Sequence, residues 1–359
     1  MRNALLAVGL GLVAGVVLFV PFVAISYRRR GTLTFGRSLG WAAALVYFWA
    51  IWTYTLLPLP DPAPLQCAGT NVNPAAFLHD LAGVWRQYGS HPVALITNPT
   101  TMQLALNVLL FVPLGFFVRT LGGRGVLVSG VAGLAVSGLV ETTQLTGVWG
   151  LYRCAYRVFD VDDLLTNTAG ALLGSLLALA VYRRRHVPVG PAVPRPVTKP
   201  RRLLAMSCDW LAFTLVATGV QVLVRAYQWY VRGDRGTLDS PVASQWGLVV
   251  ALTIWCVLTL VTGRTVGDLA VQVRYVGGRP TITRAVRFVT GIGGYGLLQL
   301  VPPVRGIDWL PGALAGAFVV VSIVLTLSTR RGRGLPGLVG RLEVADVRAP
   351  VEDAALARS

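Results

Sequence analysis

Charge is scarce in this chain, and acid is scarcer still. Only 13% of the residues are charged, and 15 are Asp or Glu. Soluble domains carry roughly 25% charged residues, so a water-exposed globule is excluded. Lysine is nearly missing: of the 32 basic residues, Lys199 alone is not Arg. Histidine occurs 3 times. There is no HExxH, and His79 and His91 lack metal-ligand spacing, so they read as solvated or interfacial. No metal and no cofactor is expected. The 4 cysteines are too few for a disulfide-built scaffold. Cys208 and Cys256 fall inside apolar runs and read as packing residues.

What the chain has instead is hydrophobic length. Hydrophobic residues make up 54%, and the mean hydropathy is +0.62. Apolar runs recur at 4–25, 38–57, 103–120, 126–146, 164–182, 203–224, 245–262, 285–301 and 309–327. Runs of about 18 residues are read as membrane-spanning helices. The expected fold is all-α, a polytopic integral membrane bundle of about nine transmembrane helices. The first run is followed by YRRR rather than a small-residue cleavage site, so it reads as a retained span.

The net charge of +17 has a topological explanation. With the N-terminus outside, 24 of the 32 basic residues fall in inner segments. The positive-inside rule therefore gives N-out and C-in. The expected partner of this charge is the lipid bilayer, with no nucleic acid. Cys67 and Cys154 then both lie outside. An oxidising exterior permits a disulfide between them, whose geometry the sequence does not supply.

Residues 187–200 read VPVGPAVPRPVTKP, which stiffens the chain and lacks apolar periodicity. The expected organisation is a five-helix domain over 1–183, a Pro-rich cytoplasmic linker over 184–200, a four-helix domain over 201–328 and a disordered tail over 329–359. The outer loop 58–101 contains NPAAFLHDLAGVWRQY. Asn73 can cap a helix and Pro74 suits its first position. Phe77, Leu81, Val84, Trp85 and Tyr88 follow helical spacing. This is an amphipathic helix for the interface or a lid over the bundle.

Three helices then bring polar groups to one membrane depth. Ser137, Glu141 and Gln144 form one stripe at the outer end of the fourth run. Asp163, Asn167 and Gly170 form one at the outer end of the fifth, with Gly174 continuing it. Asn107 lies one turn into the third. Arg153 and Arg157 sit in the loop between the fourth and fifth. An intramembrane carboxylate costs about 2.5–3.5 kcal/mol even on lenient scales, so Glu141 should face the bundle. Asp160 or Asp162 alone could be a cap, and Arg157 alone a counterion. As a set, these residues point to function.

The ordered segments NVLLFVPLGFF, SGLVETTQ and RVFDVDDLLTNTAGALLG resemble the VanZ-like family, which is named for a protein linked to teicoplanin tolerance. Asn107, Glu141, Gln144, Arg157, Asp160, Asp163, Asn167 and Gly170 carry its motif, within a match over about 16–182. The resemblance implies an envelope protein with a phenotype rather than a known reaction. The second half opens with RRLLAMSCDWLAF and continues with TGRTVGDLAVQV. It resembles the RDD family at Arg202, Asp209, Thr265 and Gly267, although Asp268 stands where that family commonly has Lys. Some RDD proteins are associated with transport. A structural pairing of Asp209 with Arg202 or another inner Arg is the alternative.

The leading expectation is a cell-envelope protein with an outward polar pocket for a cell-wall precursor, lipid headgroup or glycopeptide. The alternatives are a membrane enzyme on a lipid-linked or cell-wall substrate, with Glu141 or Asp163 as acid/base, or an RDD-type transporter centred on Asp209.

Overall fold

A computed structural model describes residues 2–59, 66–74, 76–182, 193–234, 241–302 and 307–350. The chain divides into two compact units. The boundary differs from the expected one. Unit 1 holds 1–15 and 34–187, while unit 2 holds 16–33 and 188–359. The second half of the first helix thus belongs with the C-terminal unit.

Unit 1 contains the start of α1 (Arg2–Arg30), α2 (Phe35–Leu56), β1 (Thr70–Asn71), α3 (Ala76–Tyr88) and α4 (Pro92–Thr97). It continues with α5 (Pro99–Thr120), α6 (Val126–Leu145), the turn α7 (Gly147–Gly150), β2 (Phe159–Asp160) and α8 (Val161–Tyr182). α5 begins where Asn98 accepts the Thr100 amide at 3.0 Å, with Pro99 in the first turn. α5 and α8 approach closely through glycines. A Cβ on Gly170 would meet the Val108 carbonyl, one on Gly174 the Val112 carbonyl, and one on Gly115 the Ala171 carbonyl. Small residues permit this contact where lipid offers no hydrophobic drive. In α3, Phe77, Leu81, Val84 and Tyr88 are half-buried while Trp85 is exposed.

Unit 2 contains the rest of α1, α9 (Lys199–Tyr230), α10 (Val242–Thr262), α11 (Val266–Ala270), β3 (Val273–Val276) and α12 (Pro280–Val289). α13 (Ile292–Gln299), α14 (Leu310–Ser328), α15 (Gly334–Val339) and β4 (Glu343–Asp346) complete it. Its apolar core is Phe213, Ala251, Leu252 and Trp255. α10 stops at Gly263, whose φ of +73° ends the helix in the left-handed region.

Among the described residues, eight helices are long and apolar enough to cross a membrane: α1, α2, α5, α6, α8, α9, α10 and α14. Leu12, Leu109, Leu127, Val257 and Val320 stand exposed on them, the surface that lipid-facing helices present. The run expected at 285–301 is not one helix. It breaks at Thr290 and Gly291 into α12 and α13. The sequence TGIGGYG lets the chain fold tightly there, with Phe288 and the Val289 carbonyl filling the space a Cβ would take on Gly293 and Gly294. The broken pair still carries the chain across unit 2. The beginning of α9 and the ends of α10 and α14 lie together, since Arg202 meets Asp268 and packs on Gly332. The end of α13 lies at the opposite end, where Gln299 lines a cavity with Gln221 and Ser244.

The tail expected to be disordered from 329 is folded as far as 350. β4 pairs antiparallel with β3, Val273 opposite Asp346 and Val276 opposite Glu343. Leu342 and Val344 are buried, so this segment has enough apolar surface to fold against the unit. Residues 351–359 lie outside the described residues. The described part of the expected linker is also held: the Arg195 carbonyl accepts from Arg201 at 3.2 Å and its amide reaches Asp346. The remainder, 184–192, lies outside the described residues.

Candidate functional site

The polar cluster of unit 1 forms where α5 and α8 begin and α6 ends. Asn107 on α5 donates to Asp163 on α8 at 2.5 Å. Asn167, one turn further along α8, donates to Ser137 on α6 at 2.9 Å. Ser137 in turn reaches the Asp163 carbonyl at 3.5 Å. Glu141, one turn beyond Ser137, is 3% exposed and accepts the Asp160 amide at 3.2 Å. Gln144 anchors the same stripe to α2 by donating to the Thr55 carbonyl at 2.9 Å. The helical spacing of 137, 141 and 144 therefore has a three-dimensional purpose: each residue faces a different partner element.

The three aspartates divide their work. Asp160 precedes α8 and accepts the Asp162 amide at 2.9 Å, a helix cap, while also accepting from Asn71 at 3.2 Å. Asp162 is buried and accepts the Phe77 amide at 2.9 Å, so it holds the start of α3. Asp163 faces Asn107. The loop carrying them is fastened to residues 66–74 by the Cys67–Cys154 disulfide. Beside it, the Ala68 amide donates to the Ala155 carbonyl, and β1 lies parallel to β2 with Asn71 opposite Asp160.

The cluster is rich in acceptors and poor in cations. Glu141, Asp160 and Asp163 form no ion pair among the described residues. Arg157, expected in the cluster or as a lone counterion, is exposed, and its charge acts on Glu141 without forming an ion pair. Asn167 is 7% exposed, and its Oδ1 is buried without a hydrogen-bond partner among the described residues. No group of three or more His, Cys, Asp or Glu side chains converges as metal ligands among the described residues, and His79 and His91 are exposed.

Unit 2 has a second cluster of opposite character. Asp209 accepts from the Thr265 hydroxyl at 2.6 Å, the Gly267 amide at 2.8 Å and the Trp255 indole at 3.2 Å. Its nearest cation is Arg287 at 3.8 Å, so of the arginines the structural alternative allowed it is another inner Arg and not Arg202. Arg202 pairs instead with Asp268 at 2.8 Å and donates to the Tyr275 hydroxyl at 2.6 Å. Arg287 pairs with the other Asp268 oxygen at 2.8 Å. Tyr275 lies under both guanidinium groups, 5.0 and 5.1 Å from its ring centre. Two acids and two bases thus close a balanced, buried network. Burial pushes the Asp268 carboxyl up, but Arg287 and Arg202 together outweigh it and hold it below the usual carboxylate range.

A second pair locks the folded tail. Arg201 pairs with Asp346 at 2.7 Å, donates to the Val271 carbonyl at 2.7 Å, and covers the Tyr27 ring. Sequence reasoning missed Asp268, Arg287, Tyr275 and Asp346. The one local signal was the capping box of Thr265 and Asp268 at the start of α11.

Residues 41–182 match the family model described as VanZ/LLP1. The matched segment contains every residue of the unit 1 cluster and none of the unit 2 network. No curated protein and no solved structure matches the chain.

Proposed function

We propose that the VanZ-like unit is a cell-envelope membrane module whose polar cluster binds, from the outer face, a ligand bearing ammonium or hydroxyl donors. A cell-wall precursor, a lipid headgroup and a glycopeptide all carry such groups. One observation carries the reading: Glu141, Asp160 and Asp163 converge without an ion-pair partner among the described residues, beside the unpartnered Asn167 acceptor. Uncompensated carboxylates at membrane depth cost stability, and a protein retains them where they serve a ligand. The arginine distribution supports the outward orientation. The neighbouring disulfide suits an oxidising exterior.

Binding is favoured over catalysis. The hydroxyls at the cluster are engaged with other groups: Ser137 accepts from Asn167 and donates toward the Asp163 carbonyl, and Thr166 donates to the Asp162 carbonyl. Neither hydroxyl donates to a carboxylate side chain, so neither forms a nucleophile–base pair. RDD-type transport centred on Asp209 is weaker too, because that carboxylate already has three hydrogen-bond donors and a nearby Arg.

The test is glycopeptide susceptibility in a sensitive actinobacterial or firmicute host, with wild type and Asp163→Asn matched in membrane level. Wild type should raise teicoplanin tolerance and the variant should not. Equal tolerance from both would remove the cluster from the function. No effect from either would remove the glycopeptide phenotype.

A further inference from the structure

Unit 2 contains a cavity of about 470 Å³ bounded by α9, the α12–α13 break and α14. Its size falls within the roughly 300–1,000 Å³ of small-molecule sites. Leu203, Met206, Trp210, Phe318 and Ile323 make much of its wall apolar. Ser207, Asp209, Arg287, Thr290, Tyr295 and Thr326 also line it, and two further polar side chains keep an unpaired atom. Ser322 is 9% exposed and Arg202 is 2% exposed, and both line the cavity. The Ser322 hydroxyl and the Arg202 Nε are buried without hydrogen-bond partners among the described residues. The other Arg202 nitrogens are taken by Asp268 and Tyr275. A buried donor left unpaired costs about 1–3 kcal/mol, so a ligand supplying acceptors here is favoured.

The cavity opens toward lipid. Trp210 and Ile323 line it, yet they are 51% and 37% exposed on membrane-crossing helices. Its polar end sits beneath a basic collar. Gly332 packs against both Arg202 and Lys199, and it is preceded by the exposed Arg330 and Arg331. Positive charge at such a position attracts anionic headgroups.

We infer that this cavity holds one acyl chain of an anionic phospholipid from the Arg-rich leaflet. The ester oxygens meet Ser322 and Arg202, and the headgroup lies against Lys199, Arg330 and Arg331. The break between α12 and α13 has a use in this account: it opens the space that a straight helix would fill.

The experiment uses the full chain in nanodiscs doped with phosphatidylglycerol or phosphatidylcholine bearing the same diazirine-tailed acyl chain. After illumination, adducts are mapped by peptide mass spectrometry. Phosphatidylglycerol should label Met206 and the 322–326 segment in preference to the lipid-facing Val320, and phosphatidylcholine should not. Ser322→Phe, which fills the cavity, should abolish that focused labelling. Arg330→Gln with Arg331→Gln should weaken the headgroup preference, on the order of fivefold for each charge removed. Labelling spread evenly along α14 in wild type would overturn the inference. So would equal labelling by the two lipids, or focused labelling that persists in folded Ser322→Phe.

Discussion

The two units bury acid in opposite ways. In unit 2, Asp209 and Asp268 are matched by Arg202 and Arg287 within one closed set of contacts. In unit 1, Glu141, Asp160 and Asp163 lie together with amides and Asn107 as their partners, and no cation pairs with them among the described residues. A charge-balanced network needs no counterion from outside and holds α9, α11 and α12 in register. An unbalanced one is open to a ligand. The difference teaches that an intramembrane carboxylate is not by itself a functional sign. On the proposed function, the presence or absence of an internal counterion separates the two readings.

Breaking the balanced network should have the largest effect. Asp268→Asn leaves the buried Arg202 without its carboxylate and Arg287 with only its 3.8 Å contact to Asp209, and removing one partner of a buried ion pair costs about 3–5 kcal/mol. Thermal unfolding of the purified protein in detergent should reveal a large drop. A change as small as that of a surface substitution would show that the network does not hold the unit. Severing the covalent clamp comes next. Cys67→Ser with Cys154→Ser frees a link between residues 87 apart in sequence. Disulfides contribute about 2–4 kcal/mol, and the membrane already restrains both segments, so the lower part of that range is expected. Proteolysis of the 66–74 segment should accelerate.

Helix contact in unit 1 gives a third handle. Gly174→Val forces a side chain against the Val112 carbonyl, and overpacking of this kind costs about 1–3 kcal/mol. A cysteine pair placed across α5 and α8 should crosslink less efficiently in that variant. The smallest effect is expected from acid. Asp268 is held below its unfolded pKa, so the stability it contributes is full above about pH 4 and is lost only as pH falls through the lower folded value. The melting temperature of unit 2 should therefore be nearly flat from pH 8 to about pH 5 as far as this group is concerned. A steep fall above pH 5 that Asp268→Asn abolishes would contradict the assigned direction.

Much of this was legible in the sequence, and the limits have physical causes. Apolar runs located eight crossing helices because lipid demands length and composition, both of which are local properties. The unit 1 cluster was legible for a related reason. Its residues recur at helical spacing on three elements, so orientation alone brings them together. Arg157 joins them only through its charge on Glu141, since an exposed loop side chain is not positioned by helical periodicity. The ninth run misled because hydropathy counts residues and does not register that TGIGGYG bends. The unit 2 network was missed because Asp268 meets Arg202 across 66 positions of chain. Nothing local to either residue announces the other. The same distance hid β4: its four residues read as tail until β3 gives them a partner.

The measurement that tests the comparison most directly is a paired one on Asp163→Asn. Thermal stability is read on the purified protein and teicoplanin tolerance is read in the host. The retained Oδ1 of the new side chain can still accept from Asn107, so the unit should melt within about 1 kcal/mol of wild type while tolerance is lost. If the variant instead unfolds as Asp268→Asn is expected to, the unit 1 carboxylates are as structural as those of unit 2. The contrast between the two regions would then be wrong.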